Sequence, residues 1–181
     1  VCSSDLSDVF VRHYTAVADA SPVPVFLYNV TMFTGVNLLP DAVARLAQHP
    51  NIAGIKESGS DVAQIAAYIS GTPDGFIVLG GSATTFFDAL CAGADGGVLA
   101  LAGLLPELCV RIHDLVRDGR IEEARTIQAR VTPLARLVGT GHGVPGLKAA
   151  LDLMGYVGGV PRLPLLPAGP AVTEALRAEL A

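Results

Sequence analysis

The chain has 181 residues, 51% of them hydrophobic and 16% charged, with a mean hydropathy of +0.50, so it can bury a large core and is not a disordered segment. Its formal net charge of −5 comes without a cluster of Lys or Arg, which speaks against nucleic acid and against a polybasic membrane patch as partners. The cysteines Cys2, Cys91 and Cys109 and the scattered histidines show no ligand spacing, so neither a disulfide framework nor a zinc site is indicated. The longest apolar stretch, GGVLALAGLLPEL, falls short of the roughly 20 residues that span a bilayer, and no secretory pattern opens the chain. A soluble, cytoplasmic protein is expected.

Residues 1–8, VCSSDLSD, do not begin with Met and carry no periodicity; they read as a foreign or disordered start, with helical text from Val9. VPVFLYNV (23–30) is apolar, β-branched and aromatic between Pro22 and the turn-like TMFTG, and reads as a buried strand. DAVARLAQ (41–48) offers an Asp N-cap and a helical apolar stripe closed by His49 and Pro50. The pattern recurs as strand NIAGIKE, helix DVAQIAAYIS with Asp61 and Gln64 as a capping pair, strand FIVLG, helix ATTFFDALCAG and strand GGVLALA. From Tyr28 to Lys56, Gly80 and Leu101 the successive spacings are 28, 24 and 21 residues, which suit βα units and a parallel sheet covered by helices. Beyond Pro106 the text is helical, with Pro133 expected to kink or interrupt one helix. An extended crossing, VPRLPLLPAGP, precedes a last short helix. The expected organisation is an α/β region over 9–105 and a helical extension over 106–181.

Of 12 basic side chains only Lys56 and Lys148 are lysines. Arginine effectively cannot lose its proton, whereas a lysine in an apolar setting has its charged form disfavoured and serves as an amine nucleophile. Strand alternation puts Ile52, Gly54, Lys56 and Ser58 on one face and Ala53, Ile55 and Glu57 on the other. On that reading Gly54 leaves room beside Lys56, and Glu57 points away from it. Tyr28 stands at the corresponding end of the preceding strand, and adjacent strands lie about 4.8 Å apart, which brings a phenol able to relay protons within reach of the amine. The commoner alternatives are a lysine whose stem reaches solvent and a tyrosine that is simply core. Ligand chemistry in parallel α/β folds gathers at that edge of the sheet, which favours the pair. GHGVPG (141–146) fits a dinucleotide-binding pattern only weakly, because it follows helical text. LGGSATT (79–85) could offer backbone N–H groups to an anion, although a tight strand-to-helix turn explains it as well.

YNVTMFTG, GIKESGSD, LGGSATTFFDALCAGADGGVLALAG and GVPGLKAALDLMGYVGG followed by PRLPL, in that order, resemble the dihydrodipicolinate synthase and N-acetylneuraminate lyase family of (β/α)8 barrel aldolases. The likeness runs from about Asp8 to the C-terminus. It implies that Lys56 is a Schiff-base lysine on the sixth barrel strand and Tyr28 a proton-relay tyrosine on the fifth. It also implies substrate-binding roles for Ser58, Gly80, Ser82 and Val98, with no metal and no cofactor. Within the family the segments look most like 4-hydroxy-2-oxoglutarate aldolase. The implied reaction is attack of Lys56 on a keto acid, then cleavage of the C3–C4 bond as Tyr28 takes the C4 hydroxyl proton, giving a pyruvate enamine and an aldehyde.

The alternative within the family is 4-hydroxy-tetrahydrodipicolinate synthase, whose usual carboxylate-clamping arginine would fall where Phe33 stands; a phenyl ring makes no such clamp. From another class, the chain could be an inactive fragment that acts as a binding or assembly module. The family's Thr-Thr-Gly-Glu carboxylate loop has no counterpart here, and four strands make about half of a barrel of typically about 250 residues. The expectation is a C-terminal half-barrel of about four parallel strands with C-terminal helices. Alone it would be largely inactive and prone to associate through an exposed sheet edge. The full-length protein would be a homo-oligomer acting on a small keto acid and an aldehyde.

Overall fold

The computed structural model describes residues 3–181, with side chains from Leu6 onward. The chain divides into two compact units, one ending at Val98 and the other running over Leu99–Ala181. The sequence had set this division at 105/106.

The first unit opens with α1 (Ser3–Ala20), six residues ahead of the helix start expected at Val9. The expected disorder of residues 1–8 is replaced by helix from Ser3 onward, while Val1 and Cys2 lie outside the described residues. The inward positions of α1 are Ser7, Phe10, Val11, Tyr14 and Ala18, a helical repeat whose first member is polar. Ser7 is buried and donates to Asp41 Oδ1 at 3.3 Å, and Asp8 pairs with Arg45 at 2.6 Å. An apolar periodicity count passes over these anchors.

Strands β1 (Val25–Asn29), β2 (Ile52–Glu57), β3 (Ile77–Gly80) and β4 (Gly96–Gly97) form one parallel sheet in the order β1-β2-β3-β4. Helices α2 (Thr31–Thr34), α3 (Pro40–Leu46), α4 (Val62–Gly71) and α5 (Phe86–Cys91) alternate with them. Pro40 occupies the first turn of α3, so Leu39 and not Asp41 is its N-cap. Asp61 caps α4 by accepting from Ala63 N and Gln64 N, a contact worth about 1 kcal/mol. The core lies between the sheet and its helices: Leu27, Ile55, Val78, Val43, Leu46, Ile65 and Tyr68 are all essentially inaccessible. Each of the aliphatic ones contributes about 1.5–3 kcal/mol on burial. On the opposite face of the sheet Phe26 and Tyr28 are 43% and 47% exposed.

The expected strand GGVLALA shrinks to Gly96–Gly97, and Ala100–Gly103 turns as a 3-10 helix. The second unit contains that turn, α6 (Pro106–Arg117), α7 (Ile121–Arg136), α8 (Gly143–Leu153) and α9 (Pro170–Leu180). Pro133 does not end α7; the break comes after Arg136, as a π turn over Leu137–Gly141. GHGVPG therefore joins a helix to a helix, without the strand that a dinucleotide fingerprint requires. Among the described residues no helix is long and apolar enough to cross a membrane.

Candidate functional site

Parallel pairing sets Tyr28 opposite Lys56 and Lys56 opposite Leu79, and one residue further on sets Asn29 opposite Glu57 and Glu57 opposite Gly80. Because successive side chains take opposite faces, the sheet presents two different surfaces at its C-terminal edge.

On the open surface Phe26, Tyr28, Lys56, Leu79 and Val98 line a cleft of about 340 Å³. Lys56 Nζ stands 4.3 Å from the centroid of the Tyr28 ring, within the range where a ring face attracts a cation. Lys56 is half-buried, and among the described residues no carboxylate pairs with Nζ and no acceptor binds it. The amine thus ends in a mostly apolar recess with a phenol beside it. Gly54 does not leave the open room beside Lys56 that the sequence suggested. A Cβ there would collide with Ile77 O and the Phe26 ring edge, so Gly54 permits close strand packing and the Phe26 ring takes up the space.

Of the six residues singled out from the sequence, the structure brings Tyr28, Lys56 and Val98 together in the cleft. Gly80 lies one strand along, its carbonyl accepting from Val98 N at 2.9 Å. Ser82 Oγ shares a hydrogen bond of 3.0 Å with Thr84 Oγ1. Ser58 Oγ is buried with no hydrogen-bond partner and is packed against the backbone at Gly81, where a Cβ would clash with it. Gly80 is the last residue of β3, Ser58 and Ser82 lie just past the ends of β2 and β3, and none of the three lines the cleft. Among the described residues no three His, Cys, Asp or Glu side chains converge as a metal cage.

The covered surface holds residues the sequence reading did not assemble. Glu57 is 2% exposed. Its Oε2 accepts from Asn29 Nδ2 at 2.6 Å and Gln64 Nε2 at 3.0 Å and lies 3.1 Å from the Tyr68 hydroxyl, while Oε1 accepts from Gly59 N at 2.5 Å. The Tyr68 hydroxyl donates to Leu38 O at 2.5 Å, and Asn29 Oδ1 accepts from Leu38 N at 3.1 Å. Burial, with the neighbouring Glu57 carboxylate, pushes the Tyr68 phenol far above its ordinary value. Asn29 and Glu57 directly follow Tyr28 and Lys56, and two polar residues on a strand face that must be buried are the signal that could have revealed the network.

A parallel α/β sheet with a lysine and a tyrosine side by side at its C-terminal edge defines a segment of an α/β barrel at the edge where such folds gather ligand chemistry. The model of the dihydrodipicolinate synthetase family matches residues 7–181, and the chain belongs to that family. It is 39% identical, over 87% of its length and 54% of the relative's, to a 4-hydroxy-tetrahydrodipicolinate synthase of Exiguobacterium sp.. The solved dihydrodipicolinate synthase of Thermotoga maritima superimposes with a TM-score of 0.91 at 33% identity, covering 96% of this chain and 60% of that one. The chloride-inhibited enzyme of Acinetobacter baumannii, solved with pyruvate, gives 0.90 at 31% identity and the same coverage. The chain thus spans little more than half the length of these relatives, and its four strands are part of a (β/α)8 barrel. These relatives carry the synthase name, which shifts the balance away from the expected likeness to 4-hydroxy-2-oxoglutarate aldolase and toward the synthase.

Proposed function

We propose that this chain carries the imine-forming part of a pyruvate-using lyase, a 4-hydroxy-tetrahydrodipicolinate synthase in its complete form. The observation that carries the reading is the Lys56 amine over the Tyr28 ring in a mostly apolar cleft, without a carboxylate partner. The names of the relatives support the synthase over the aldolase. Val98 bounds the cleft, and Gly80, Ser82 and Ser58 belong to the proposed substrate edge through the family likeness.

In the proposed reaction the Lys56 amine attacks the pyruvate ketone and water is expelled, forming an imine. Loss of a C3 proton gives the enamine, and its C3 adds to the carbonyl carbon of the aldehyde while Tyr28 delivers a proton to the new alkoxide. Where the aldehyde carries an amine, that amine displaces Lys56 from the imine carbon and closes the ring; otherwise water displaces it, and either way the free lysine returns. The protonated imine withdraws electrons and so supplies the activation itself. Within the first unit the other described cations are Arg12 and Arg45, on α1 and α3, and neither lines the cleft. Phe33, in α2 just past β1, is 80% exposed. An aldehyde bearing its own carboxylate therefore needs a cation from outside these residues. Assembly of the full-length protein as a homo-oligomer and a cytoplasmic setting belong to the same proposal.

The test is intact mass after incubation with pyruvate and borohydride, followed by peptide mapping. One reduced adduct on Lys56 is expected. Adducts spread equally over Lys56 and Lys148 would sink the reading. In the complete protein, aspartate semialdehyde should then give cyclised product, whereas a preference for glyoxylate would return the aldolase.

A further inference from the structure

The Glu57 network occupies the face of the sheet that the proposed chemistry does not use. A carboxylate held at 2% exposure is costly unless donors surround it, and the N–H donors come from three separate places: Asn29 on β1, Gly59 beyond β2 and Gln64 on α4. Asn37 extends it, accepting from Asn29 Nδ2 at 2.7 Å and exchanging hydrogen bonds with Gln64. Where β1 and β2 end, Ser58 N donates to Asn29 O at 2.9 Å and Gly81 N to Glu57 O at 2.6 Å. The network therefore clamps the last paired residues of both strands.

We propose that Glu57, acting with Asn29, is a positioning residue for the imine site. Its buried hydrogen bonds fix the strand register that holds Tyr28 beside Lys56. The inference rests on the proposed role of Lys56, but its physical content is the register. The pair Asn29–Glu57 is one step from the pair Tyr28–Lys56. A slip of one residue exchanges the faces, carrying Lys56 among the helices and the carboxylate into the cleft. Apolar neighbours alone would tolerate fraying at the last residues of a strand; a buried acceptor that must find three N–H donors does not.

The experiment exploits the presence of only two lysines. With 13C-lysine, the Lys56 ε-CH2 should show a ring-current displacement from Tyr28, and Lys148, in the other unit, serves as internal control. Glu57→Gln sets an amide N–H2 against either the Gly59 N–H or the Asn29 and Gln64 donors. The expected result is loss of the Lys56 displacement with the Lys148 signal and far-UV CD unchanged. The maximal rate of pyruvate-borohydride trapping should fall about tenfold or more at an unchanged half-saturating pyruvate concentration. Asn29→Asp combined with Glu57→Gln reverses donor and acceptor and should restore both readouts. A folded Glu57→Gln chain with the wild-type Lys56 signal and trapping rate overturns the proposal. Should Glu57→Gln fail to fold, Gln64→Ala, which removes one donor, must reduce the displacement, and an unchanged signal overturns it equally. If wild type never traps pyruvate, the imine reading fails, and the NMR displacement alone decides the positioning role.

Discussion

The two lysines occupy opposite situations. Lys148 Nζ, on α8, donates to Gly158 O at 2.6 Å, and Asp152 of the same helix accepts from Gly158 N at 2.8 Å. Together they bracket one residue and hold the segment after α8 in place. Lys56 Nζ has a ring face and a cleft instead of an acceptor. An amine committed to a carbonyl has no role beyond holding it; an amine without an acceptor can react. The scarcity of lysine draws attention to both positions, and only the surroundings separate them.

The comparison breaks first on covalent trapping. Lys56→Ala should abolish the pyruvate-borohydride adduct, while Lys148→Ala should leave its yield unchanged, as intact mass will show. An adduct that survives in Lys56→Ala and maps to Lys148 would reverse the assignment. Next in size is Tyr28→Phe, which keeps the ring under Nζ but removes the phenolic proton. Turnover of the complete protein should fall about 10²- to 10⁴-fold, with the Lys56 ε-CH2 displacement retained. Steady-state rates alongside NMR would expose a purely structural role, in which displacement and rate are lost together.

Much of this site was legible because its parts obey simple periods. The spacing of βα units aligned Tyr28 with Lys56, and alternation sent Glu57 to the other face. The fourth strand was not legible: VLALA is as apolar as a strand and as a buried turn, and periodicity does not separate them. Gly96–Gly97 pairs with β3, and Asp95 Oδ2 accepts from Val78 N at 2.7 Å where the two strands meet. Gln64 was read as the capping partner of Asp61 from local spacing. Its amide turns inward because Asn37, Glu57 and Tyr68 offer partners drawn from elsewhere in the chain. A local motif cannot weigh partners that arrive only with the tertiary fold.

A smaller effect concerns alkali. The Tyr68 phenol holds its proton in the folded protein far above the usual value of about 10. In the unfolded chain it ionises near that value, so above it the unfolded state binds fewer protons than the native one, and stability falls as pH rises. The contribution is fully present below about pH 10. Tyr68→Phe should flatten the slope of stability above that pH in urea titrations. At neutral pH it should cost about 1–3 kcal/mol, because Leu38 O loses its donor and the Asn29 and Gln64 amides lose an acceptor. An equal alkaline slope in wild type and variant would mean that other groups set it.

The smallest effect returns to Lys148. Lys148→Met keeps much of the alkyl stem beside Pro145, Leu153 and Pro161 around a cavity of about 300 Å³ and removes only the bond to Gly158 O. Lys148 is itself half-buried, so water can replace part of that bond, and the loss should be about 1 kcal/mol. Asp152 would still hold the Gly158 N–H, so Gly158 loses one of two anchors. Hydrogen exchange at the Gly158 amide is the sensitive readout, and it should quicken while the Lys56 adduct forms at the wild-type rate. A lysine that serves only to fasten a loop must behave in this way, and a change in trapping would show that the two lysines are not independent.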